Sequence, residues 1–166
     1  MGYIMMSRIK RLIGTVMMCS LTYVFSGSAT WAETSSISPN NTLSAAEVIK
    51  IQLTALQQND TPSQDAGIER TWDFAHPANK SMTGPLAKFA AMIKGAAYSP
   101  LIDHREHRIN LISDQTDKKL FDVIIISKDG AVLGYSWEVM KVPDGRLSGA
   151  WMTTAVSPPV NLGQAS

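Results

Sequence analysis

Cysteine is almost absent from this sequence: the chain of 166 residues holds one, Cys19, inside an apolar stretch near the amino end. Everything after it lacks thiols, so no disulfide, thiolate nucleophile or thiolate metal site is available there. An excess of charge of one sign is missing too. Fifteen Lys and Arg face fourteen Asp and Glu, a formal net charge of +1. That balance argues against a nucleic-acid partner, whose phosphates demand a strongly basic face. No glycine-rich phosphate loop, heptad pattern or internal repeat is present, and nothing in the sequence implies a cofactor.

An uninterrupted membrane-length apolar run is also lacking. A span needs about 20 apolar residues. The apolar stretch Leu12 to Phe25 is shorter and is broken by Thr15, Ser20 and Thr22. It follows a basic segment with Arg8, Lys10 and Arg11, and precedes a small, polar zone from Ser26 to Ala32 that is interrupted by Trp31. Basic, hydrophobic and cleavage zones in that order make a secretory signal. Small residues at Thr30 and Ala32 predict a mature start at Glu33; Gly27 and Ala29 offer a second site, and an uncleaved anchor is the alternative. Val16-Met17-Met18 ahead of Cys19 does not resemble a lipoprotein cleavage box. Cleavage after Ala32 leaves roughly 134 residues with twelve basic and fourteen acidic side chains, a net charge of −2. An exported domain without disulfides points to the bacterial periplasm, or to secretion, with no stable membrane insertion after cleavage.

Residues 33–42 are rich in Ser, Thr, Asn and Pro and read as a flexible lead. Residues 157–166, starting at Ser157-Pro158-Pro159, read as a disordered tail. A single domain is expected over residues 43–156. Leu43-Ser44-Ala45-Ala46-Glu47-Val48 combines a capping box with a hydrophobic staple and starts a helix that runs to about Asn59. A second helix is expected after a cap at Asp65, ending at His76-Pro77, because the residue before proline is pushed out of the helical region. Residues 78–82 read as a loop, and Thr83 as the cap of a third helix that ends near Gly95. Beyond Pro100 the pattern changes to four strands: residues 102–113, 119–127, 131–142 and 146–156. Lys128-Asp129-Gly130 and Pro143-Asp144-Gly145 are hairpin signals. Helices followed by sequential strands make an α+β plan: three helices packed on a curved four-stranded antiparallel sheet. Two architectures fit, the cone of nuclear-transport-factor-2-like domains and the cystatin-like wrap; three leading helices favour the cone.

One segment resembles a known family. Gln52-Leu53, Leu56, Asn59-Asp60, Pro62, Asp65, Gly67-Ile68, Phe74-Ala75, Pro77, Asn79, Thr83-Gly84-Pro85, Phe89, Met92, Tyr98 and Leu101 are similar to the family called domain of unknown function four-eight-six-four, which is associated with bacterial exported proteins and some plant proteins. The resemblance covers residues 44–156 and is sharpest from Asn59 to Leu101. Leu147 departs from it, since an aromatic residue is expected there. The resemblance implies one α+β domain and supplies no catalytic residue.

The polar stretch from Phe74 to Pro85 links two apolar helices, and loops on a rigid scaffold often carry function. Asn79 and Thr83 are therefore ligand-binding candidates; the alternative is that they satisfy orphan amides at helix ends. Trp72, Tyr135 and Trp137 are candidates for lining an apolar pocket, though tryptophans in a small domain also serve as core. His104 and His107 would share a helix face and could hold a metal. On a strand they point to opposite faces, so no metal site is expected. Asp122, Tyr98 and His76 are the acid–base candidates. Burial of Asp122 in the central strand would raise its pKa and suit proton transfer, unless the side chain points outward or pairs with Arg105 or Arg108.

These residues predict an exported, non-enzymatic module binding a small apolar ligand or a protein partner. A cavity enzyme of isomerase or cyclase type and a dimerisation module are the alternatives. Amino-terminal sequencing of protein exported by a bacterial host is expected to begin at Glu33, or at Thr30 from the second site; a chain that retains Met1 would overturn the cleaved-signal reading.

Overall fold

The computed structural model describes residues 37–165, and the expected export signal lies outside the described residues. Four helices precede five strands: α1 (Ala45–Gln57), α2 (Ala66–Asp73), α3 (Pro77–Thr83), α4 (Leu86–Ile93), a 3-10 turn (Ser99–Leu101), β1 (Glu106–Asp114), β2 (Lys118–Ile126), β3 (Ala131–Lys141), β4 (Trp151–Val156) and β5 (Val160–Gln164). The α+β plan is therefore correct. The count differs by one helix and one strand.

α1 starts where the capping box places it. The Glu47 amide donates to the Ser44 hydroxyl at 3.2 Å, and the Ser44 amide donates to the Glu47 carboxylate at 2.7 Å. Its buried stripe is Ala45, Val48, Ile49, Gln52, Leu53 and Leu56, the i, i+3, i+4 pattern of an amphipathic helix. Each fully buried aliphatic side chain in that stripe contributes about 2 kcal/mol relative to exposure.

α2 packs on α1 through Gly67. Its amide donates to the Asn59 carbonyl at 2.8 Å, and the Ile68 amide donates to the Asn59 side-chain oxygen at 3.1 Å. A Cβ at position 67 would collide with the Ala55 carbonyl and lie 2.8 Å from the Asn59 Cα. Asp65 does not cap α2 with its side chain. It takes a left-handed conformation (φ 63°), and its carboxylate bonds Lys94 at 2.6 Å instead.

The residues read as a loop at 78–82 belong to α3. Pro77 ends the preceding segment, and its fixed φ also starts a new helix at the first position. The His76 ring caps that helix: Nδ1 accepts from the Ala78 amide at 3.1 Å. Thr83 closes α3 and does not open α4, whose N-cap is Pro85.

The sheet is antiparallel in the order β1-β2-β3-β4, and β5 also pairs with β3. β4 takes residues 137–141 of β3, while β5 takes residues 131–134. The fourth strand begins at Trp151, because residues 145–148 form a turn. The expected loose tail contains β5. Phe121, Val123 and Ile125 of β2 stand opposite Trp137, Tyr135 and Leu133 of β3, and all six are buried against the helices. Phe74–His76 docks beside β4: the His76 amide donates to the Thr153 carbonyl at 2.8 Å, and the Thr153 amide to the Phe74 carbonyl at 3.0 Å.

Gly67→Ala is expected to cost about 3 kcal/mol, because the added carbon meets backbone and not a side chain that can turn away. Urea unfolding measures it; an unchanged midpoint would show that α2 is not seated on α1 as described.

Candidate functional site

Three inward side chains and a backbone carbonyl set the floor of a cavity between the helices and β4. Trp137 Nε1 donates to the Thr153 hydroxyl at 3.0 Å. The Thr153 hydroxyl donates to Gln52 Oε1 at 2.6 Å. Gln52 Nε2 donates to the Thr71 carbonyl at 3.0 Å. The Thr71 carbonyl can only accept, so the Gln52 amide must turn its nitrogen to it and its oxygen to Thr153, whose hydroxyl then donates to Gln52 and accepts from the indole N–H of Trp137. Each of these buried polar atoms has at least one hydrogen-bond partner, as most buried polar atoms do.

The cavity has a volume of about 220 Å³. Leu56, Phe89, Ile93 and Leu101 supply its apolar wall, and Met92 lines it from α4. Val156, Ala155 and Met82 stand at its edge. Met82 is 78% exposed, high for a large apolar side chain. Among the described residues lining the cavity, none carries a charge at neutral pH.

Hydrogen bonds hold the walls. Asn79 Nδ2 donates to the Thr154 carbonyl at 2.9 Å, tying α3 to β4. The Thr83 hydroxyl bonds Asn79, at 2.9 Å to its carbonyl and 2.8 Å to its side-chain oxygen. The Tyr98 hydroxyl donates to the Val156 carbonyl at 3.0 Å.

Asn79, Thr83 and Trp137, named as ligand-binding candidates, and Tyr98, named as an acid–base candidate, all line this one cavity. Trp72 does not line it; its ring packs on Phe89 with centroids 5.0 Å apart. Tyr135 is a core residue whose hydroxyl donates to the Ala97 carbonyl at 3.3 Å, and burial pushes its pKa up to about 12. Asp122 stands opposite Asn110 and Ser136, on the sheet face turned away from the helices. Its carboxylate lies near Gly134 on that face, outside the cavity. His76 is also outside the lining. Its Nδ1 accepts a backbone amide, so its proton sits on Nε2, which has no hydrogen-bond partner among the described residues. Desolvation lowers its pKa, and the Lys141 backbone opposes that shift without completing a hydrogen bond. Asp122, Tyr98 and His76 therefore do not converge, and no acid–base pair is assembled.

Sequence reasoning passed over Gln52, Thr71 and Thr153. Gln52 did carry a signal: it is a polar residue at a core position of an otherwise apolar stripe. Thr153 carried none.

The histidines hold a second surprise. Strand alternation was expected to separate His104 from His107. His104 instead precedes β1, in the turn after the 3-10 segment, and the rings meet, with His104 Nε2 2.8 Å from His107 Nδ1. His104 Nδ1 lies 2.7 Å from the Leu101 carbonyl, so it carries the proton; Nε2 then accepts from His107 Nδ1–H. Desolvation lowers the pKa of both rings, and Lys50 adds to the shift of His107. No group of three or more potential metal ligands occurs among the described residues.

No family model matches the chain, and neither a curated protein nor a solved structure matches it.

A histidine whose folded pKa lies below its unfolded value of 6.5 binds fewer protons folded than unfolded at mildly acid pH. Its stabilising contribution is present above pH 6.5 and is lost as pH falls through the folded value. All three histidines shift this way. Stability by urea unfolding is expected to fall from about pH 7.5 to about pH 5, ahead of the carboxylates, and His104→Gln is expected to flatten the slope. A flat profile in the unmodified protein would contradict the buried neutral pair.

Proposed function

We propose that this domain is a binding module that takes a small apolar molecule into the cavity between its helices and β4. The observation that carries this reading is the pairing of an apolar wall with polar groups already engaged in the fold. An apolar cavity of about 150 Å³ is large enough to bind benzene, and this one measures about 220 Å³. Ligand pockets characteristically combine mostly apolar walls with a few placed polar groups. Among the described residues lining the cavity, Tyr98 is the one titratable side chain, and its proton is engaged by the Val156 carbonyl, so the lining lends no support to the isomerase or cyclase alternative.

The same proposal includes the finer architecture and the compartment. Helices gathered on one face of an antiparallel sheet with bulges near Ile112 and between Glu138 and Val139 support a nuclear-transport-factor-2-like cone, because bulges bend sheets. The segment Asn59 to Leu101 supports kinship with the family called domain of unknown function four-eight-six-four. The basic, apolar and small-residue zones of the amino end support export to the periplasm. Val160 and Leu162 of β5 are more than half exposed, and they support a lesser reading in which the outer sheet contacts a second copy or a protein partner.

Titration with indole, a neutral probe of suitable size, tests the cavity. Saturable one-to-one binding is expected, with a Kd on the order of 100 µM. Ala155 lines the edge of the cavity and is exposed. Ala155→Trp therefore fills the entrance without burdening the core, and is expected to weaken binding at least about ten-fold, some 1.4 kcal/mol. Binding that survives in a folded Ala155→Trp protein would place the ligand elsewhere and sink the proposal.

A further inference from the structure

Gln52 is 1% exposed and lines the cavity. Its carbonyl accepts from Thr153, and its amide nitrogen donates once, to the Thr71 carbonyl. A primary amide has two N–H donors. One is therefore left over, without a partner among the described residues. Gln52 is buried in the fold but borders the cavity, and an unmet buried donor costs more than an average hydrogen bond contributes.

The other polar groups of the lining differ. The Thr71 hydroxyl donates to the Gly67 carbonyl, the Tyr98 hydroxyl to the Val156 carbonyl, and the Thr83 hydroxyl to Asn79. Asn79 also has a spare N–H, but its side chain is half-buried, within reach of solvent. The cavity floor thus offers a ligand one donor and no charge.

We infer that the ligand is a neutral, ring-sized apolar molecule bearing a single hydrogen-bond acceptor, such as a ketone or lactone oxygen, which takes the spare N–H of Gln52. This rests on the binding reading above and assigns it a ligand chemistry. A carboxylate is excluded by the same lining. No cation faces it, and burying an unpaired anion costs far more than one amide N–H returns. The Met92 and Phe89 side chains suit a ring, because thioether and aromatic edges both contact ring faces and rims favourably.

Three probes of nearly equal size and shape separate the possibilities: acetophenone, α-methylstyrene and benzoate. The first has a ketone, the second a methylene in its place, the third a carboxylate. Calorimetric titration at neutral pH is expected to rank acetophenone about five-fold tighter than α-methylstyrene, with benzoate weaker than acetophenone by at least about a hundred-fold. Gln52→Met, which keeps the length and removes the N–H, is expected to erase the five-fold preference of acetophenone over α-methylstyrene, whatever the absolute affinity of either; a preference that persists in the folded variant overturns the assignment to Gln52. If Gln52→Met fails to fold, the contrast between the two neutral probes on the unmodified protein decides. Equal or tighter binding of α-methylstyrene, still lost in Ala155→Trp, leaves the cavity reading standing and overturns the acceptor. Benzoate binding as tightly as acetophenone overturns the neutrality. Failure of all three probes removes the binding reading itself, and this inference with it.

Discussion

A line of buried side-chain hydrogen bonds runs from the sheet into the helix layer: Trp137 to Thr153, Thr153 to Gln52, Gln52 to the Thr71 backbone. Of the buried side chains of α1, Gln52 alone is polar. Apolar contacts tolerate sliding; a buried amide does not, because each donor or acceptor left unmet costs about 1–3 kcal/mol. The line therefore fixes α1 along its axis against β4 and positions α2 through Thr71. Gly67 and Asn59 then hold α2 at close range. With the floor so fixed, the walls cannot close over it without breaking polar bonds.

The walls are unequal. The α1 and β3 sides are core, with residues near zero exposure. α3 has no buried residue. It is held by Asn79 to the Thr154 backbone and by the His76 cap, so hydrogen bonds and not apolar burial keep it in place. Elements with few buried contacts open locally at lower free energy than the core. α3 is therefore the wall of the cavity that yields at the lowest free energy, while the floor is held by the buried core.

What was legible in the sequence was local chemistry with one solution. Ser44 and Glu47 could form a capping box in one way only, and they did. Alternation and Asp-Gly turns placed the strands to within a few residues. Where one residue had two uses, the tertiary context chose. Asp65 had the side chain of a cap, yet Lys94 and Asn59 took its carboxylate. His76-Pro77 was a stop for one helix and a start for the next. His104 and His107 met because the chain turns at Asp103 (φ 57°) before entering β1, which no alternation rule anticipates. Asp122 sat among apolar residues, but period-two geometry put it on the open face. The cavity was half legible: Asn79, Thr83, Tyr98 and Trp137 stood out by type, while Thr153 and Thr71 needed the fold to bring them to Gln52.

β5 gives the molecule a different property. β3 is long, and β4 covers only part of its edge; the five residues Val160–Gln164 cover the rest. The strand is itself exposed throughout, short, out of register between Val132 and Leu133, and has Gly163 at φ 129°. An unpaired row of amides on a long flat strand is a template for other chains, whereas a short, bulged strand is a poor one. Residues 160–164 therefore occupy backbone groups of β3 that an open edge would offer to another chain. A protein shortened at Ser157 would keep the residues that line the cavity and leave residues 131–134 of β3 with an open edge.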